Sequence, residues 1–363
     1  MENYLHTRNF PPAKKETWRN LAQKELKGKD PFSALTFLHP GGITAQPYYD
    51  ASDVSALPYL ENFQNPLPHN HALPSRNWLN LGYVLVEEEK EGNRLALAHL
   101  QGGGDGLWLD LSLGLSPDFY SLLNQIHLAH CPVFMAQPQP SDIENFIAYL
   151  KIYYSGRDIL NVRFFSSKIP NFPIPANTQP VFLHGLWVPA LFDPVEELTQ
   201  ALALVVGYLS DKSGQEIFYF FSKSAFSFAL GQDFFLEAAK IKAFRWLFHA
   251  LAKAYGVELQ GLTPDVHMRS SPWSKDSLEP QSSLLKGTTA SLAAIVGGCD
   301  SLTVIPKESS DSEARLARNI SLILKEESHL DKVSDPLAGS YYFQRLIDSL
   351  AHRAWEKFMR LYP

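Results

Sequence analysis

Four side chains able to do acid–base or ionic chemistry, Tyr83, Asp110, Lys223 and His267, fall at or near the ends of apolar runs in this sequence. A tyrosine or histidine can pass a proton, a carboxylate can accept one, and a lysine can hold an anion. Each also has an ordinary reading. Tyr83 in RNWLNLGY reads as a rim tyrosine with its hydroxyl in water, and Asp110 in LWLDLSL as an axial or core-paired carboxylate. Lys223 in FFSKSAFSF reads as a solvated loop cation, and His267 in LTPDVHMRSSPW as a hydrogen-bonded loop histidine. Two further patterns are weaker. His69 and His71 form an HxH pair with no third ligand placed nearby, which is too few for a metal site. QGGGDG, from Gln101, precedes a strand-like run, whereas a phosphate-cradling loop follows a strand and opens a helix, so it reads as a turn. Neither a GxSxG elbow nor an HExxH helix occurs.

The elements that must position these residues alternate from Trp78 onward. Eight β-type runs stand out: WLNLGYV, LWLDLSL, CPVFMA, NVRFF, PVFLHGL, EIFYFF, VELQGL and SLTVIP. Most intervening stretches have amphipathic helical spacing. The clearest is DFFLEAAKIKAFRWLFHALAKAYG, with Leu236, Ala239, Ala243, Leu247, Ala250 and Ala254 on one face. Lys242, Arg245, His249 and Lys253 lie on another face, and Gly256 supplies the stop. Eight strand–helix units over roughly 250 residues predict an α/β fold, a (β/α)8 TIM barrel, with chemistry at the C-terminal ends of its strands. The expected divisions are an extended N-terminal arm over 1–77, the barrel over 78–330, and a loop and helix over 331–363. Between Phe165 and Pro180 the prolines of SSKIPNFPIPANTQ predict a crossover reduced to a loop.

Composition bounds the function. The chain has 363 residues, 45% hydrophobic and 19% charged, with a net charge of -6, which is ordinary for a globular protein and gives nucleic acid no basic footprint. Two cysteines, Cys131 and Cys299, make neither a disulfide framework nor a metal set and read as buried thiols in a reducing compartment. MENYLHTRNFPPAKKETW lacks a secretory apolar segment, and no run approaches the ~18 residues of a membrane span. The expectation is a cytoplasmic protein without a membrane partner.

Several stretches carry a more specific signal. DPLAGSYYFQRLIDSLAHRAW resembles the "DP-x-(A/S)GS-x-Y" segment that closes the barrel domain of methylmalonyl-CoA mutases, and RLARNISLILKEES resembles that family's "RIARN-x-Q-x-x-L-x-x-ES". GGCDSLTV and GQDFFLEAAKIKAFRWLF are similar to its "GG-x-x-SL" and "G-x-NFF-x-E-(V/A)AK" stretches, and WRNLAQKELKG and GGITAQPYY to its N-terminal arm. The resemblance covers nearly the whole chain. It implies an isomerase, an intramolecular transferase interconverting methylmalonyl-CoA and succinyl-CoA through adenosylcobalamin. In that family the acyl-CoA threads the barrel axis, and a separate C-terminal domain brings the cobalamin with a D-x-H-x-x-G histidine as lower cobalt ligand.

The departures from the family pattern are as telling. The chain stops within the helix after DPLAGSYY, so the cobalamin domain is expected to be absent, with no cofactor on this chain alone. DVHMRS has Ser270 in place of the motif's glycine. RNWLNLGY keeps Arg76, Trp78 and the substrate-contacting Tyr83 but has Leu81 for the second arginine of "RPW-x-x-R-x-Y". The resemblance aligns Lys223 to the substrate-binding arginine of "PRLSFF", and a lysine is a poor bidentate clamp for a carboxylate. It aligns His267 to the thioester-contacting histidine of "RTHSQTSGW". All three positions are expected to be vestigial.

Strand parity argues in the same direction. A tunnel for the CoA arm needs small inward residues, yet PVFLHGL offers Val181 and Leu183 or Phe182 and His184. EIFYFF offers Ile217 and Tyr219 or Phe218 and Phe220, and NVRFF offers Arg163 and Phe165 or Val162 and Phe164. A plugged barrel is therefore expected, as in the small, non-catalytic subunit of the heterodimeric members. The implied partner is a catalytic large subunit, gripped through barrel helices and the arm, with a homodimer forming when the chain is isolated. The alternative is a catalytic barrel chain whose cobalamin domain lies on a separate polypeptide.

Overall fold

The computed structural model describes residues 14–57, 76–153, 160–166, 180–191, 193–258, 263–272, 282–308 and 310–362. The arm contains helices α1 (Lys15–Glu25), α2 (Pro31–Leu35) and α3 (Ala51–Val54), and a short antiparallel pair, β1 (Phe37–Leu38) with β2 (Thr44–Ala45). The barrel follows as β3 (Leu79–Leu85), α4 (Glu89–Gln101), β4 (Gly106–Asp110), α5 (Phe119–Leu122), β5 (Val133–Ala136), α6 (Pro140–Tyr153), β6 (Leu160–Ser166) and β7 (Pro180–Trp187). It continues through α7 (Pro194–Leu209), α8 (Gly214–Lys223), β8 (Ala225–Ala229), α9 (Phe234–Ala254), β9 (Asp265–Arg269), α10 (Ser282–Gly297), β10 (Ser301–Thr303), α11 (Asp311–Leu322) and α12 (Tyr341–Leu361). The eight strands β3 to β10 form one closed, all-parallel barrel in chain order. The (β/α)8 expectation is met.

Two of the eight expected strands are wrong in detail. EIFYFF is helical, lying within α8, and the sixth barrel strand is AFSFA just after it. Ser213 and Glu216 form a capping box that starts this helix, which then buries Phe220 and Phe221 and exposes Phe218 and Tyr219. Aromatic β-propensity misled the reading because a helix buried on one face can carry the same residues. VELQGL is not the seventh strand either: Val257 and Glu258 are coil, 259–262 lie outside the described residues, and the strand is DVHMR. His267 is therefore a mid-strand residue, not a loop histidine. The connection at 167–179, expected to be a loop, and the HxH pair His69 and His71 lie outside the described residues.

Alternate strand residues divide the core. Outward-facing Phe226, Phe228, Val266 and Met268 pack with Phe244 and Phe248 of α9 and with Leu350 of α12, while Leu107, Leu109, Val133 and Met135 pack under α4 to α6. Helix α9 is buried almost all round, and of Lys242, Arg245, His249 and Lys253 on its second face only Lys253 is exposed. Lys242 pairs with Asp335 and Arg245 with Asp300, whereas Ala250 and Ala254 are exposed. The DPLAGS turn is thereby tied to α9, and Ser340 caps α12 by accepting from the Phe343 N–H. QGGGDG is the turn that ends α4 and leads into β4, with Gly103 at φ 96.

Candidate functional site

The barrel interior is built from the other parity. Leu81, Trp108, Phe134, Ala136, Phe165 and Ala225 form one buried cluster, with Tyr83 and Trp187 packed against it. On β6 the inward pair is Arg163 and Phe165; on β7, Gly185 stands opposite Phe165 and Trp187 opposite Ser227. The side chains of 180–184 lie outside the described residues. β8 contributes only Ala225, Ser227 and Ala229, so the aromatic residues of EIFYFF do not plug the barrel as expected. The bulk comes from its neighbours.

At the centre lies His267, fully buried. The Trp108 ring stacks on its imidazole at 4.0 Å and 16°. Nδ1 is 2.8 Å from Ser227 Oγ and Nε2 is 3.0 Å from Thr303 Oγ1, so one nitrogen donates and the other accepts. Burial, with help from the Arg269 and Arg163 charges, holds the imidazole well below its usual pKa. A neutral ring with both nitrogens engaged and no exposed edge has no free position for a thioester oxygen or a substrate proton.

Arg269 closes the upper layer. Its guanidinium lies 3.7 Å from the Trp187 ring centroid and donates to Val188 O, Ser227 O and Ser227 Oγ. Burial lowers its pKa to about 9. In the lower layer Arg163 pairs with Asp265 at 2.5 Å and stacks 4.4 Å over Phe134. Tyr83 is held at the C-terminal rim: its hydroxyl donates to Asp110 Oδ2 at 3.0 Å, and Asp110 Oδ1 accepts from the Ser112 N–H. Burial and the adjacent carboxylate push the phenol upward, which keeps it a donor. The hydroxyl is thus bonded to Asp110, not left at water as the plain reading had it.

Lys223 stands apart. It is the exposed last residue of α8 and precedes β8, so it sits at the N-terminal edge of the barrel, opposite the Tyr83–Asp110 rim. The structure does not bring Tyr83, Lys223 and His267 together. DVHMRS also fails as a cobalt-ligand motif, because its histidine is sealed in the interior with both nitrogens taken. Among the described residues no group of three or more His, Cys, Asp or Glu side chains is placed to hold a metal ion.

Sequence reasoning missed three features. Trp108 shares its parity with Asp110, so the axial reading of one should have placed the other. Arg269 and Ser227 were hidden by the misplaced strands. The third is a buried ionic cluster: Lys240 Nζ lies 2.6 Å from both Glu197 Oε2 and Glu237 Oε2 and donates to Ala229 O. A Glu–Lys pair inside the apolar stretch of FFLEAAKIKAF was its only signal. Glu237 also lines a cleft of about 440 Å³ at the C-terminal rim, between the loop after β8 and the first turns of α10.

Comparison with known proteins gives the wider context. A family model described as methylmalonyl-CoA mutase matches residues 190–362. The methylmalonyl-CoA mutase small subunit of Porphyromonas gingivalis is 28% identical over 96% of this chain and 63% of its own length. That of Streptomyces virginiae is 30% identical over 97% of this chain and 64% of its own. The methylmalonyl-CoA mutase of Cereibacter sphaeroides is 27% identical over 94% of this chain and 57% of its own. The chain therefore spans less than two thirds of the length of these relatives.

Proposed function

We propose that this chain, similar to methylmalonyl-CoA mutase small subunits over most of its length, is a structural, non-catalytic subunit of an adenosylcobalamin-dependent mutase interconverting methylmalonyl-CoA and succinyl-CoA. One observation carries the reading: Trp108 stacked on His267, with Phe134, Phe165 and the Arg269–Trp187 pair around them, occupies the axis that a pantetheine arm would need. These side chains are packed as an ordinary barrel core is packed. Tyr83, Lys223 and His267 are vestigial in this reading, each engaged elsewhere or facing away.

The partner is a catalytic large subunit that carries the acyl-CoA and the cobalamin. Leu21, Leu35, Phe37 and Leu38 of the arm are exposed, which suits a segment that completes its burial against another chain. The arm is anchored at its base, where His39 Nδ1 meets Asp233 at 2.5 Å and Nε2 meets the Tyr342 hydroxyl at 3.0 Å. A permanent pairing of this kind buries upwards of about 2,000 Å². No helix among the described residues is long and apolar enough to cross a membrane.

Calorimetric titration with a CoA thioester tests the proposal. The chain alone is expected to give no heat, and binding is expected only once the catalytic subunit is added. Micromolar binding by the chain alone would instead assign it an active barrel with its cobalamin domain on another polypeptide.

A further inference from the structure

The cleft of about 440 Å³ between the loop after β8 and α10 shares no residue with the Trp108–His267 plug and has no role in the subunit reading. Its volume falls within the range of roughly 300–1,000 Å³ that small-molecule sites occupy. The sequence SLLKGTTASLAA explains why it stays open. Gly287, Ala290 and Ala293 recur every three residues, so they share one face of α10, and that face lines the cleft without filling it. The facing wall is apolar too, with Leu230 on the loop after β8 and Phe234 at the start of α9.

Most polar groups of the lining are already engaged. Glu237, 3% exposed, has its charge met by Lys240 at 2.6 Å. The hydroxyl protons of Ser270, Ser271 and Thr289 go to the carbonyl oxygens of Ser271, Leu230 and Leu285. The side-chain N–H donors are Gln232, from the loop after β8, and Lys286, from α10. Both are exposed, and neither is bonded to another described residue. They come from opposite walls, and Lys286 lies near the positive end of the α10 dipole. An apolar interior whose unspent donors are exposed, one of them cationic, suits a hydrocarbon body that ends in an anionic head. We propose that this cleft binds a small amphipathic monocarboxylate, its chain against Leu230, Phe234 and the Gly287–Ala290–Ala293 face and its carboxylate on Gln232 and Lys286. An ammonium head fits less well, because Lys286 repels it and Lys240 already occupies Glu237.

The test titrates the full chain with octanoate, octanol and octylammonium, followed by ligand-observed NMR. Octanoate is expected to saturate with a Kd below about 1 mM. Octanol is expected to bind about threefold more weakly, and octylammonium more weakly still. Lys286→Met removes an exposed charge, so it should weaken octanoate about threefold and leave octanol unchanged. Ala290→Trp places a ring in the cleft from a half-buried position and should abolish binding of both. Crystals soaked in octanoate brominated at its chain end need no variant, and their anomalous peak is expected beside Phe234 and Ala293. No saturable binding of octanoate, octylammonium binding as tightly as octanoate, or a bromine peak elsewhere overturns the proposal. A peak on the barrel axis would overturn the plugged-barrel reading as well, whereas absence of binding leaves that reading standing, so the two fail separately.

Discussion

Lowering the pH tests the closed interior directly. His267 is fully buried, and His99 is nearly so, its Nε2 lying 3.2 Å from Asn80 O with Gly82 and Gly104 packed against the ring. Burial holds both below their ordinary value, His99 at about 4 and His267 well down. In the unfolded chain each titrates near 6.5. Above that pH neither state holds the proton, and their contribution to stability is fully present. As pH falls below 6.5 the unfolded chain gains two protons that the native chain refuses, so stability is lost. Each histidine withdraws about 1.4 kcal/mol per pH unit, His99 until about pH 4 and His267 further down. Together they remove about 3 kcal/mol between pH 6.5 and 5.0, which lowers Tm by about 4 °C in a chain of this size. Denaturant unfolding at half-unit steps measures the slope, and the His267→Gln variant is expected to halve it. Selectively labelled histidine followed by NMR isolates the ring itself. A His267 resonance with a midpoint near 6.5 would mean that water reaches the imidazole, and the plugged-barrel argument would fail with it.

Two further outcomes are expected. Lys240→Met leaves Glu197, Glu237 and Ala229 O without their shared cation, and denaturant unfolding should show a loss of about 3–5 kcal/mol. Lys223→Ala removes an exposed side chain at the barrel's N-terminal edge, so it should change unfolding stability by no more than about 0.5 kcal/mol and leave activity of the assembled enzyme unchanged. A large loss of substrate affinity in that assembly would restore Lys223 as a working anion clamp.

Much of the architecture was legible because it rests on local pattern. Alternating apolar runs and helical spacing reported the unit count, and DPLAGSYY with Ser340 marked the start of the last helix. The legible part ended where one residue type serves two environments. EIFYFF is as apolar as a strand, but a capping box and one buried face make it helical. Lys240, Lys242 and Arg245 look solvated on a helical wheel, yet all are buried, because carboxylates from α7, from the segment before β10 and from the DPLAGS turn reach them.

From its residues alone the chain determined a barrel of eight units and a resemblance carried by short motifs. It could not say which way each strand faces. That was decided in three dimensions, where ring closure fixes one parity inward on every strand at once. Closure set Trp108 on His267, turned Ser227 and Thr303 toward its two nitrogens, and sent Lys223 to the far end. The physical reason is that a side chain's chemistry depends on who surrounds it, and those neighbours come from strands far apart along the chain.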